Sequence, residues 1–144
     1  GIELFETRDG EMLVNEIAPR PHNSGHWTIE GAATSQFENH VRAVLGWPLG
    51  PTDLIGPAVT ANVLGDVTAS QTLDGDTALR GVGDVLEEPS AALHWYGKAT
   101  VRPLRKMGHV TVTEDASTGP ADDTSERALS RAQALRDGLT FKSA

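Results

Sequence analysis

The chain has 144 residues, with 12 Lys plus Arg against 20 Asp plus Glu for a formal net charge of −8, no Cys, 15 Gly and 8 Pro. A chain of this length can bury roughly 70% of the surface its unfolded form exposes, enough for an independent core. The missing cysteines exclude disulfide scaffolds and thiolate chemistry, the lack of any window near ~20 consecutive apolar residues excludes a membrane-spanning helix, and the acidity argues against a nucleic-acid binder held by a phosphate-neutralising surface.

The chain opens Gly1-Ile2-Glu3-Leu4-Phe5, without Met, basic n-region or apolar h-region. No secretory signal is therefore expected, and the expected location is cytoplasmic. The opening also falls inside a strand-like pattern, so Gly1 is not expected to be where the natural gene product starts. Residues 1–5 and 11–17 are apolar-bearing runs on either side of Asp9-Gly10, a strong hairpin signal because Gly accepts positive φ without a Cβ penalty. Residues 18–26, with Pro19, Pro21 and Gly25, read as an irregular loop.

Ser35 and Glu38 have the spacing of a capping box. Phe37, Val41, Val44 and Leu45 then share one helical face, Glu38 and Arg42 are an i, i+4 pair, and Gly46 can end the helix, whose expected job is packing. Composition changes at Trp47-Pro48-Leu49-Gly50-Pro51 and again at Gly56-Pro57, which divides the chain into residues 1–50 and 51–144. Beyond lie expected strands over 58–64, 92–96 and 109–113. A final helix is expected over 124–137, with Asp123 and Glu126 at its start, Ala128, Ala132 and Leu135 inward, and Gly138 as the stop. The sum is an α+β chain with a strand-rich second half and no internal repeat. Its 9 Arg, 3 Lys and acidic pairs such as Glu87-Glu88 and Asp122-Asp123 fit either a surface adapted to high salt or an ordinary acidic protein.

Three groups of residues could carry chemistry. Glu3 and Glu16 lie on opposite arms of the hairpin with Asp9-Gly10 at their midpoint, so antiparallel pairing can bring the carboxylates together. Like charges at that distance call for a cation, and hard oxygen ligands suit Mg²⁺; the other reading is two surface glutamates. His22 and His26 have a zinc-like i, i+4 spacing, but Pro21 and Gly25 argue against a helix there and no third ligand is evident. The loop of Arg20, His22, Asn23, Ser24 and His26 suits an anion or a substrate carbonyl, or is a hydrogen-bonded structural loop. Lys98, Arg102, Arg105, Lys106 and His109 concentrate positive charge against the global balance, which suits a phosphate or carboxylate, or compensates neighbouring acids.

Val14-Asn15-Glu16-Ile17-Ala18-Pro19-Arg20-Pro21-His22-Asn23-Ser24-Gly25-His26, followed by Thr34-Ser35-Gln36-Phe37-Glu38, resembles the end of the ATP-grasp domain of 5-(carboxyamino)imidazole ribonucleotide synthases. His94-Trp95-Tyr96-Gly97-Lys98 and then Arg102-Pro103-Leu104-Arg105-Lys106-Met107-Gly108-His109 resemble the same family's C-terminal signature. Two motifs in the right order are far more specific than either alone. The resemblance runs from Gly1 to about Thr113 and implies the C-terminal part of an ATP-grasp domain followed by a small strand-rich domain.

The family is an ATP-dependent carbon–nitrogen ligase of purine biosynthesis, which carboxylates 5-aminoimidazole ribonucleotide with bicarbonate through carboxyphosphate. The resemblance implies ATP and Mg²⁺ as cofactors, Glu3 and Glu16 as metal ligands, and Asn15 beside Glu16 near the ATP phosphates. It assigns Arg20, His22, Asn23 and His26 to the site of carboxyl transfer, and Lys98 and Arg105 to the ribonucleotide phosphate. It implies a homodimer for the full-length enzyme, with neither nucleic acid nor membrane as partner. Leu104 stands where the family has Gly. The adenine pocket and glycine-rich phosphate loop of the family precede the region matched here, so this chain is expected to need that missing N-terminal part for activity. The alternatives are an ATP-grasp ligase with another substrate, such as a formate-using or biotin-dependent relative, or a non-enzymatic binding module.

Overall fold

A computed structural model describes residues 1–65 and 77–143. The chain is α+β and divides into two compact units, Gly1–Ile55 and Gly56–Ala144. None of the helices among the described residues is long and apolar enough to cross a membrane.

In the first unit β1 (Ile2–Glu6) and β2 (Met12–Ile17) form an antiparallel two-stranded sheet. Gly10 takes φ 83° at the turn, and Thr7 closes it by donating N–H to Glu11 O at 2.8 Å and accepting from Gly10 N at 3.0 Å. A 3-10 turn (Asn23–Gly25), α1 (Thr28–Gly31) and α2 (Gln36–Val44) follow. The Ser35 hydroxyl accepts from Glu38 N at 3.2 Å, which is half of the expected capping box. The Glu38 carboxylate turns instead to Arg42, whose Nε lies 2.9 Å away. Gly46, at φ 69°, follows the end of the helix.

The expected packing face of α2 stays open, with Phe37, Val41, Val44 and Leu45 all exposed. What α2 holds within this unit is the loop ahead of it and the segment behind it. Asn39 Oδ1 accepts from Gly50 N at 2.8 Å, and Ala33 N and Ile55 N donate to Asp53 O and Gly31 O, each at 2.9 Å. These bonds tie residues 47–55 to the first unit, although their composition changes at Trp47.

The second unit runs through β3 (Ala58–Leu64), β4 (Thr77–Arg80), α3 (Val82–Leu86), β5 (Ala91–Trp95), β6 (Lys106–Thr113), α4 (Ala121–Asp137) and β7 (Thr140–Ser143). The main sheet has the order β3-β6-β5, all antiparallel, and β4 pairs with β7. As the central strand β6 is flanked on both edges, and Met107 to Val112 are buried. Val63, Val110 and Val112 of the sheet pack with Val85, Ala128, Ala132 and Leu139 in one core, each large aliphatic side chain contributing roughly 1.5–3 kcal/mol. Ala128 and Ala132 are inward as expected, with Leu135 packed against the same core.

Helix α4 starts earlier than expected, directly after Pro120, and its first turn carries Asp122 and Asp123, where negative charge favours the helix dipole. β6 also starts earlier, at Lys106. Gly108 lies just ahead of the expected strand, yet it is needed within it: a Cβ there would lie 2.5 Å from His94 O on β5.

Candidate active site

Glu3 and Glu16 are directly paired across the hairpin. Ile2 pairs with Ile17 and Glu3 with Glu16, but Leu4 pairs with Val14, so Asn15 is an extra residue in β2. Such a bulge turns two successive side chains toward the same side. Asn15 Nδ2 accordingly donates to Glu3 Oε2 at 3.0 Å.

His22 completes this cluster. Its Nδ1 lies 3.5 Å from Glu3 Oε1 and its Nε2 3.8 Å from Glu16 Oε2, and one ligand atom from each of Glu3, Glu16 and His22 falls within 4.8 Å of the others. Arg20 Nη2 stands 3.9 Å from Glu16 Oε1 while its Nη1 donates to Pro21 O at 3.1 Å. Two opposed carboxylates are hard oxygen donors of the kind that suits Mg²⁺, with the His22 imidazole as the third group of the cluster. The donor set therefore fits the metal that the sequence implied.

The zinc pairing of His22 with His26 does not form a cluster among the described residues; the grouping is His22 with the two glutamates. Residues 23–25 make a 3-10 turn rather than an α-helical one, with His22 as its N-cap. His26 Nδ1 is engaged by Gln36 Nε2 at 2.8 Å, and its ring stacks on Phe37 at 5.4 Å between centroids. Asn23 opens the turn, and the Ser24 hydroxyl meets His22 Nδ1 at 2.9 Å. Gln36 was not singled out from sequence as a site residue, and its place beside the cap Ser35 carried no signal beyond helix initiation.

In the second unit the β5–β6 connection brings Lys98 and Arg105 to one end of an antiparallel pair. Lys98 Nζ donates to Lys106 O at 2.5 Å and lies 5.4 Å from the centre of the Tyr96 ring. Burial, with the positive charges of Arg105 and Lys106 nearby, holds the Lys98 ammonium below the ordinary lysine value. Arg105 Nη1 donates to Thr100 O at 2.8 Å. Leu104 adopts φ 61°, the one non-glycine residue at positive φ among those described. It thus enters the backbone region that a glycine occupies freely.

His109 does not belong to this surface group. It is buried in the middle of the sheet, stacked on His94 at 4.4 Å between centroids, with Tyr96 Oη 2.7 Å from its Nδ1. Lys106 stands exposed at the start of β6, where the register against β3 shifts between Gly108 and Lys106, while His109 lies in the buried stretch beyond it. Tyr96 was not singled out from sequence; it follows the end of β5 and meets both Lys98 and His109.

Residues 1–37 match the ATP-grasp domain family and residues 58–119 the phosphoribosylaminoimidazole carboxylase C-terminal domain family. The class is therefore an ATP-grasp segment followed by this C-terminal domain. The chain is 54% identical over 110 residues to N5-carboxyaminoimidazole ribonucleotide synthase of Mycobacterium tuberculosis, covering 76% of this chain and 25% of that protein. It superposes on the crystal structure of the synthetase from Thermotoga maritima with TM-score 0.80 and 48% identity, covering 99% of this chain and 36% of that one. The synthase of Aspergillus clavatus, solved in complex with ADP and 5-aminoimidazole ribonucleotide, gives TM-score 0.70 and 35% identity over 95% of this chain and 33% of that one. The chain is a homologue of the N5-carboxyaminoimidazole ribonucleotide synthases and spans about a quarter of the length of the curated relatives it matches.

Proposed function

We propose that this chain supplies the metal-holding hairpin and the phosphate-holding β5–β6 end of an ATP-dependent ligase that carboxylates 5-aminoimidazole ribonucleotide with bicarbonate. The observation that carries this reading is the convergence of Glu3, Glu16 and His22 within 4.8 Å, in a chain homologous to enzymes of that name. Glu3 and Glu16 would hold Mg²⁺ with Asn15 beside them. When bound, the ion supplies positive charge against the triphosphate, the principal need in phosphoryl transfer.

In the reaction a bicarbonate oxygen attacks the γ-phosphorus of ATP and the bond to ADP breaks, giving carboxyphosphate. The amine nitrogen of the ribonucleotide then attacks the carboxyl carbon, the carbon–oxygen bond to phosphate breaks, and the amine's proton passes to the departing phosphate. Arg20 offers a planar donor fork to the anionic intermediate, and His22, Asn23 and His26 line the same loop. Lys98 and Arg105 hold the 5′-phosphate, so that binding energy far from the reacting nitrogen orients it.

The hairpin supports the view that these residues work inside a larger enzyme. Ile2, Leu4, Phe5, Met12, Leu13, Val14 and Ile17 are all exposed, an apolar surface that suits burial against the remainder of an ATP-grasp domain. The test is ADP release with Mg·ATP, bicarbonate and the ribonucleotide, by the chain alone and mixed with the upstream region of a homologue. Activity that appears on mixing supports a ligase; silence from two folded pieces moves the reading to an ATP-grasp ligase with another substrate or to a binding module.

A further inference from the structure

Gln36, the first residue of α2, joins both histidines of the loop. His22 N lies 2.8 Å from Gln36 Oε1. A backbone N–H can only donate, so this contact fixes which end of the amide is the oxygen. Gln36 Nε2 is then the NH₂ group. It lies 2.7 Å from His22 O and 2.8 Å from His26 Nδ1, and a carbonyl can only accept. One amide proton thus goes to His22 O and the other to His26 Nδ1.

Two consequences follow from this donor count. Both peptide groups of His22 are held by one side chain, which sets the direction in which its ring leaves the backbone, toward Glu3 and Glu16. His26 Nδ1 acts as an acceptor, so the neutral ring carries its proton on Nε2. The surroundings leave Gln36 little freedom: its own N–H donates to Thr28 Oγ1 at 2.9 Å, that hydroxyl donates to Gly25 O at 2.6 Å, and a Cβ on Gly25 would lie 2.6 Å from Gln36 Oε1.

We propose that Gln36 is a positioning residue that aims His22 at the two glutamates and fixes the Nε2–H tautomer of His26. Its importance to catalysis rests on the proposed function, but the clamp is a property of this chain. Asn in its place is one methylene short of either histidine. Glu keeps the acceptor for His22 N but loses both amide protons.

Side-chain nitrogen NMR of the 144-residue chain, at a pH where the rings are neutral, tests the clamp in the wild type, Gln36→Glu and Gln36→Leu. The wild type should show His26 protonated on Nε2 and bare on Nδ1, with proton–proton contacts from the His22 ring to the Glu3 and Glu16 methylenes. Gln36→Glu places an acceptor opposite Nδ1 and should draw the His26 proton there. Gln36→Leu should lose the His22 contacts while the amide spectrum of the β1–β2 hairpin persists. A wild-type proton on Nδ1, a tautomer unmoved in Gln36→Glu, or His22 contacts that survive in Gln36→Leu would each overturn the proposal. If Gln36→Leu does not fold, the wild type and Gln36→Glu still decide. Broadening of Glu3, Glu16 and His22 resonances by Mn²⁺, recorded on the same samples, addresses the metal reading separately: its absence removes that reading while the tautomer result stands.

Discussion

Glu3 and Glu16 are Cα partners across the β1–β2 ladder, with Asn15 bulged out of register beside them and bonded to Glu3 at 3.0 Å. Two carboxylates directly opposite on a ladder repel, a cost of roughly 0.2–1 kcal/mol relative to a neutral pair. The proposed divalent cation would offset that repulsion by binding the folded hairpin.

Glu16→Gln keeps the shape and removes one charge. Mn²⁺ binding, followed by electron paramagnetic resonance, should weaken by at least about tenfold, since even partners outside the ligand shell cost that much when lost. The metal-free chain should become more stable by about 0.2–1 kcal/mol. Unchanged Mn²⁺ affinity would end the assignment of Glu16 as a ligand.

Arg105→Ala in the complete enzyme should raise the KM for the ribonucleotide at least about tenfold, consistent with losing a charge-assisted hydrogen bond of roughly 1.5–3 kcal/mol, and leave the KM for ATP nearly unchanged. An equal rise in both constants would mean that Arg105 supports the fold through its bond to Thr100 O instead.

The depressed Lys98 ammonium predicts a pH dependence. Between its folded pKa and the ordinary lysine value the unfolded chain binds more protons, so stability should rise with pH across that window. Affinity for a phosphate ligand should move the opposite way, falling as Lys98 loses its charge and doing so below the pH expected of an unperturbed lysine. Lys98→Arg should carry this decline to higher pH, because the guanidinium stays charged. Titration of phosphate affinity against pH for the two proteins makes the comparison.

Leu104 holds a left-handed backbone at φ 61° while its side chain is exposed. Leu104→Gly relieves about 1–2 kcal/mol of steric cost and adds about 0.4–1 kcal/mol of unfolded-state entropy. The net expectation is a gain of up to about 1.6 kcal/mol, read as slower amide exchange in β6. Faster exchange would show that Leu104 is not strained.

Sequence reading found the elements whose signals are local. Asp9-Gly10 announced the hairpin, and the Glu3–Glu16 pairing followed from counting outward from that turn. The bulge did not, because nothing in Val14-Asn15-Glu16 marks Asn15 as the residue left out of the ladder. Ser35 and Gly46 bounded α2, but its apolar face suggested a packing role that the first unit does not fill. Strands β4 and β7 were missed because Thr77–Arg80 and Thr140–Ser143 are four residues each and stabilise one another only across the length of the unit. His22 was singled out with the loop of Arg20, Asn23, Ser24 and His26, and the argument against a His22–His26 metal pair was legible in Pro21 and Gly25; its proximity to Glu3 and Glu16 was not, because those residues lie on another element.

The pairing of β4 with β7 also orders events during synthesis. Arg80 and its partner Thr140 are about 60 residues apart, so at ~5–20 residues per second β4 waits roughly 3–12 s after leaving the ribosome before its only ladder partner among the described residues exists. The β5–β6 pair, with its Lys98 and Arg105 end, is translated within that interval and can form first. The end of the sheet that carries Lys98 and Arg105 is thus synthesised, with its own ladder partner, before the unit around it can close.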